Sequence, residues 1–434
     1  MLSTRSRLGI GLVLAAIAAG CQKPEPPPIV EQPRKNYFRQ VGPGEVALVK
    51  ITDPSQYPDF REGFERQKNL ELACQYSLEY LSRPSSQQYF PYLDITHERA
   101  VASIHAFLEC LRTARTAEEF DQMIKTRFEV YKSRGCDDMG TVLYTGYYRP
   151  IFDARLQPDH EYRYPLYKRP PDLEQDPVTL QNRRAGGGPY YTRADIEGGV
   201  LAGQGLELCY LKDRFEAYIV TVQGSGRLRL EDGSFFDIGY AGDNGHEYKS
   251  IGQAMVESGE IDPSQLSLQG LIRYFRDHPD RLEPALSVNN RYVFFTPRGG
   301  GPYGSLNVPV SPFRSIATDK QVYPRACIAY LQTQLPARTP QGDIINHSYS
   351  GFALDQDTGG AIRAAGRCDV FMGTGPEVGE LAGRTFAEGQ MYYIAVREGA
   401  GPTMTDQMAS PAPGGHMSAP MPSDGFVEDV PPNH

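Results

Sequence analysis

The sequence predicts a mainly β chain with a helical N-terminal part, and three observations predict it. Between about Ser55 and Arg134, apolar residues recur at helical spacing. After Gly140 the chain turns to short runs of β-branched and aromatic residues. Those runs are broken throughout by Gly and Pro, 44 and 35 residues in a chain of 434, which favours short strands joined by turns. A chain of 434 residues has room for two or three domains.

The first residues read as an export signal. Arg5 and Arg7 precede an apolar stretch, Leu8 to Ala19, that is too short to span a bilayer. It ends Ala18-Ala19-Gly20-Cys21, and small residues before a Cys resemble a bacterial lipoprotein processing site. Residues 1–20 are therefore expected to be a signal peptide and Cys21 to carry lipid; plain secretion after cleavage near Gly20 is the alternative. Pro24, Pro26, Pro27, Pro28 and Pro33 make residues 21–45 an extended, Pro-rich tether. Gln22 carries no obvious inner-membrane retention signal, so the periplasmic face of an outer membrane is the expected location.

Val101, Ala102, His105, Ala106, Phe107, Cys110 and Leu111 fall on one face of a helix. Thr116 and Glu119 fit a capping box opening a helix that runs towards Tyr131. A strand is expected from Thr141 to Tyr148, ending at Pro150. Further strand-like runs are Ala217 to Val222 and Tyr292 to Thr296. Helices are expected from Ser250 to Glu257 and from Leu266 to Asp277, followed by Gly259 and Pro279 respectively. After Pro302 the chain is again β-rich, and the Gly/Pro/Met/Ser-rich residues 399–434 read as a disordered tail.

Several function classes are excluded. A net charge of −9 with no basic run excludes nucleic-acid binding. Gly245-His246-Glu247 lacks the second His of a zinc-protease helix, because position 250 is Ser. Gly373-Thr374-Gly375 lacks the third Gly of a dinucleotide loop, and neither a P-loop nor a nucleophile elbow occurs. No CxxC or Cys/His cluster suggests zinc. Six cysteines besides Cys21 permit disulfides in an exported chain, and Cys368 reads as a small buried hydrophobe.

Asp319, Asp357 and Asp369 stand out in the C-terminal half. Asp357 opens Asp357-Thr358-Gly359-Gly360-Ala361-Ile362, and Asp369 lies in Arg367-Cys368-Asp369-Val370-Phe371-Met372-Gly373-Thr374-Gly375. Carboxylates on short strands and Gly turns can converge on one groove, where mutual repulsion and burial raise a pKa as an acid catalyst requires. Spacing alone favours a plainer role for such Asp, in turns and caps.

Four blocks, in order, resemble the membrane-bound lytic murein transglycosylase A family. They are Tyr144-Thr145-Gly146-Tyr147-Tyr148-x-Pro150, Val222-Gln223-Gly224-Ser225-Gly226, Gly239-Tyr240-Ala241-Gly242-x-Asn244-Gly245-His246-x-Tyr248-x-Ser250-Ile251-Gly252, and Asp357 through Gly375. The Asp319/Asp357/Asp369 set also resembles a small three-aspartate domain of cell-wall proteins. The resemblance spans roughly residues 140 to 398. It implies a double-psi β-barrel, residues 46–149 and 299–398 with the N-terminal helical part. A second β-rich domain, residues 150–298, would be inserted in it, with a glycan groove between the two. It implies a lyase that cleaves the MurNAc–GlcNAc β-1,4 bond of peptidoglycan and leaves 1,6-anhydro-MurNAc ends. Asp369 would be its single acid and base, and no metal or organic cofactor is implied. Asp357, Thr145, Tyr147, Gln223, Gly224, Ser225 and Asp319 would contact or position the glycan; for Tyr147 and Tyr148, packing within the strand is an equal reading. The expected partners are glycan strands and a membrane reached through the lipid, with the enzyme monomeric. A hydrolase on the same barrel, or a non-catalytic glycan-binding module, is the rival reading.

Overall fold

The computed structural model describes residues 35–42, 44–176, 181–262, 268–359 and 362–398. The signal peptide, Cys21, the tether up to residue 34 and the tail from residue 399 lie outside the described residues. Among the described residues no helix is long and apolar enough to cross a membrane.

The chain is mostly β with N-terminal helices. Thr96 opens the helix His97–Thr113 by accepting the Arg99 amide at 3.1 Å, and the helix buries Ala100, Ile104, Phe107 and Leu111. Each such side chain contributes about 1.5–3 kcal/mol on burial, apart from the smaller Ala100. Thr116 caps the next helix, Ala117–Arg127, by accepting the Glu119 amide at 3.1 Å. The Glu119 carboxylate reaches back to the Arg115 amide at 2.9 Å instead of to Thr116, so the capping box is only half formed. This helix stops at Arg127 and does not continue towards Tyr131. Phe128–Ser133 is a strand, paired antiparallel to Phe386–Val396, with Phe128, Val130 and Tyr131 fully buried. Strand pairing and burial of these aromatic and β-branched residues outweigh extension of the helix.

Six strands close into a barrel. Val142–Arg149 pairs with Arg367–Thr374, which pairs in turn with Ser315–Ala317, Ile344–Asp357, Ile328–Arg338 and Phe386–Val396; the last returns to Val142–Arg149. Closure satisfies the edges that an open sheet would expose. The helices Leu70–Leu81 and His97–Thr113 pack on this barrel. Phe352 anchors an aromatic cluster between layers, with ring centroids of Phe107 and Tyr330 at 4.8 and 4.7 Å. Tyr37, whose hydroxyl donates to Glu388 at 2.7 Å, and Arg39, which donates to the Cys136 carbonyl at 2.6 Å, fasten the incoming chain to the barrel.

At Pro150 the chain leaves the barrel for a six-stranded sheet, ordered Val293–Pro297, Phe235–Asp243, Ser225–Arg229, Ile151–Arg155, Glu207–Leu211 and Tyr164–Tyr167. Its separate core includes Phe152, Phe215, Ile219, Leu228 and Phe295. The run Ala217 to Val222, strand-like in sequence, is helical: it lies in Arg214–Gln223. Asp213 caps that helix by accepting the Glu216 amide at 2.9 Å, and Gly224, at φ 71°, ends it in the left-handed conformation. End signals and burial of Phe215, Tyr218 and Ile219 outweigh the β preference of its branched residues. Barrel and insert are tied at Asp237, which accepts Arg149 from the barrel strand at 3.2 Å and both arms of the Arg227 guanidinium at 3.0 Å.

Candidate active site

Strand register builds one row of residues across the barrel wall. Phe386 pairs with Thr145, Thr145 with Asp369, Asp369 with Ala317, and Ala317 with Asp357. Residues paired in register point to the same face of a sheet. The residues preceding Thr145 and Asp369, Tyr144 and Cys368, are fully buried, so the row lies on the outer face of the barrel. A bulge brings Asp357 into it. Ile316 pairs with Asp355 and the next residue, Ala317, with Asp357, leaving Gln356 as the extra residue. Asp355 therefore turns into the protein, at 0% exposure, while Asp357 joins the outer row.

The two carboxyls of the row have opposite surroundings. Asp357 Oδ2 accepts the Tyr147 hydroxyl at 2.8 Å, and its Oδ1 accepts the Ser305 and Thr358 amides, both at 2.8 Å. Burial raises its pKa while these donors pull it down. Asp369 Oδ1 is buried and has no hydrogen-bond partner among the described residues. Burial pushes the Asp369 pKa up to about 6, against the charge of Arg367 and a hydrogen bond with Thr145; the Asp357 charge adds a smaller rise. The Thr145 hydroxyl also accepts from Arg367 at 3.3 Å, and the Arg367 guanidinium sits over the Phe38 ring at 5.1 Å. One carboxyl is thus a fixed acceptor, and the other keeps an uncommitted oxygen and holds its proton towards neutral pH. That pairing is what acid catalysis by a single residue requires.

The remaining sequence candidates divide. Tyr147 spends its hydroxyl on Asp357 and packs its ring against Phe371 at 5.2 Å, while Tyr148 is buried in the core. Gln223 comes from the insert, at the end of its helix, with Nε2 3.4 Å from the Tyr148 carbonyl. Gly224 follows in the turn, and Ser225, buried, begins the next strand opposite Gly239. Asp319 is not in the row: it is buried at 2% exposure, and its oxygens accept the amides of Gln321 at 3.0 Å and Ala364 at 2.8 Å. Its place is to pin two loops behind the site. Asn244 of the third sequence block is likewise committed, donating to the Tyr191 and Asn290 carbonyls at 2.9 and 2.8 Å. It borders a cavity of about 240 Å³ in the insert, none of whose lining residues belongs to the row.

Arg367, Phe386 and a buried ion pair went unmarked in the sequence. Lys320 pairs with Asp355, which also accepts Thr318 at 2.7 Å and Tyr393 at 2.8 Å. A Lys and an Asp 35 positions apart carry no sequence signal of contact; Arg367, two before Asp369 on a strand, could have been found from period-2 spacing. Cys74, Cys110, Cys209, Cys327 and Cys368 are buried free thiols. Among the described residues no group of three or more His, Cys, Asp or Glu is placed to hold a metal.

Comparison with known proteins bears on this site. The family model described as MltA specific insert domain matches residues 143–296, and the 3D domain model matches residues 314–395. Membrane-bound lytic murein transglycosylase A of Escherichia coli (strain K12) is 31% identical over 278 residues, 63% of this chain and 71% of that protein. The protein of the same name from Vibrio cholerae is 30% identical over 265 residues, 60% and 67% of the two chains. The crystal structure of membrane-bound lytic murein transglycosylase from Agrobacterium tumefaciens superimposes with TM-score 0.65 at 26% identity, covering 82% of this chain and 99% of that one. MltA from Neisseria gonorrhoeae, in its monoclinic form, gives 0.56 at 26% identity, with 83% and 97% covered.

Proposed function

Because the chain belongs to the membrane-bound lytic murein transglycosylase A family, we propose that it cleaves the MurNAc–GlcNAc β-1,4 bond of peptidoglycan and leaves 1,6-anhydro-MurNAc ends. The observation that carries the reading is the unpartnered, buried oxygen of Asp369 on a carboxyl whose pKa reaches about 6. Protonated Asp369 gives its proton to the glycosidic oxygen as the C1–O4 bond breaks. The MurNAc C6 hydroxyl attacks C1 and surrenders its proton to the Asp369 carboxylate, which regenerates the acid. Attack within one sugar gains from proximity, and no water is consumed. Thr145 and Arg367 orient the acid; Asp357 and Gln223 position the glycan.

A hydrolase would need a second carboxylate to activate water. Asp357 is poorly suited, since three donors already hold its two oxygens. Digestion of purified sacculi in 18O-labelled water separates the two readings. No label is expected at new MurNAc ends, and Asp357→Asn should weaken cleavage while its products keep anhydro ends. Labelled reducing ends as the main product would leave the hydrolase standing.

We further propose that lipid on Cys21 holds the enzyme at the periplasmic face of an outer membrane. The small residues before Cys21 and the Pro-rich segment after it support this, since stable anchoring takes more than one acyl chain. Cys21→Ala should move the protein from the membrane fraction to the soluble periplasm; unchanged fractionation would count against the lipid.

A further inference from the structure

We propose that Phe386 is an aromatic platform for a pyranose ring of the glycan, on the side of Asp369 away from Asp357. The inference rests on the reading of Asp369 as the acid and adds a residue that the sequence blocks do not contain.

Phe386 is 64% exposed although it begins a barrel strand whose later residues are buried. It pairs in register with Thr145, which pairs with Asp369, so its side chain leaves the same face of the wall as the acid. Two interstrand steps separate them, about 10 Å. Asp357 lies two steps away in the opposite direction, across Ala317. The acid therefore stands midway between a fixed polar acceptor and an open ring. The row runs across the strands, whereas the insert is reached along them, through Arg149. A polymer lying in the row would thus pass alongside the insert.

The position of Phe386 is constrained. Thr385 before it is buried, with its hydroxyl donating to the Leu381 carbonyl at 2.9 Å. Gly146 leaves room for the Thr385 side chain, since a Cβ there would stand 2.8 Å from Thr385 Oγ1. No ring of the described residues stacks on Phe386, so its face is available. An exposed Phe by itself is ordinary on a protein surface. What marks this one is its fixed place in line with the acid. Flat apolar rings are among the groups that line ligand sites with few polar contacts, and the C–H face of a pyranose is the part of a glycan that an uncharged aromatic ring recognises.

The test uses the full chain, with wild type and Asp369→Ala digested alongside to establish the cleavage reading separately. On glycan strands, Phe386→Ala should raise KM roughly tenfold, the size of one aromatic contact, and change kcat less than about twofold. Phe386→Trp should restore KM, which a purely structural role would not predict. In an Asp369→Asn background, calorimetry with chitohexaose should show the same loss for Phe386→Ala and the same rescue by Trp. If Phe386→Ala keeps its KM and its chitohexaose affinity within about twofold while cleavage still depends on Asp369, the platform is wrong and the acid stands. If Asp369→Ala cleaves normally, the mechanism fails, and the chitohexaose affinities alone decide the platform.

Discussion

Asp369→Ala or Asp369→Asn is expected to lower turnover on sacculi by at least about 100-fold, the usual contribution of a positioned proton donor. The reaction needs Asp369 protonated, so in the wild type kcat should fall as pH rises through about 6. The same burial predicts how the variant folds. Unfolded, this carboxyl titrates near the ordinary Asp value; folded, it holds its proton up to about 6. Between those values the folded state binds more protons than the unfolded one, so stability falls as pH rises across the window and stays lower above it. Asparagine has no charge to bury, and Asp369→Asn should melt at or above the wild-type temperature at pH 7. The two would converge below pH 4. An inactive variant with raised stability separates lost chemistry from lost structure. Near-normal turnover by folded Asp369→Ala would overturn the mechanism.

Lys320→Met is expected to destabilise the protein by about 3–5 kcal/mol, the cost of leaving one partner of a buried ion pair uncompensated. Lys320 is 5% exposed in its side chain and Asp355 0%, and desolvation lowers the lysine pKa and raises the aspartate pKa while their attraction opposes both. Thr318 and Tyr393 complete the Asp355 shell, and Thr318 directly follows Ala317 of the active row. Removing both charges, in Lys320→Met with Asp355→Leu, should cost less than the sum of the single changes, because no charge then stays buried alone. Denaturant unfolding of the four proteins measures the coupling. Additive costs, or a Lys320→Met cost under about 1 kcal/mol, would show that the pair is not a structural element.

Local chemistry explains why parts of the fold were legible. Thr116 caps its helix through a bond that spans three residues, and Ser250 does the same for Ile251–Glu257. The Thr-Gly-Tyr-Tyr block is a strand as read. Reading failed where distant neighbours decide. The strand-like run from Ala217 to Val222 became a helix because its end caps and the insert core both favour one. Phe128 became a strand because Val396 lies opposite it.

Residue chemistry and motif order were enough to bring Asp369, Asp357 and Thr145 forward as candidates and to indicate the family. Only the folded barrel put them in one row. That row depends on pairings between segments more than 200 residues apart, Thr145 with Asp369 and with Phe386, and on a single bulged residue, Gln356. A shift of one residue in any of those pairings would turn a side chain to the opposite face. The proton held by Asp369 up to about 6 is likewise set by burial, opposed by the Arg367 charge and the Thr145 hydrogen bond, with a smaller rise from Asp357 across the row. Neither register nor desolvation is a property of a local stretch of chain, and both arise only when the strands have closed.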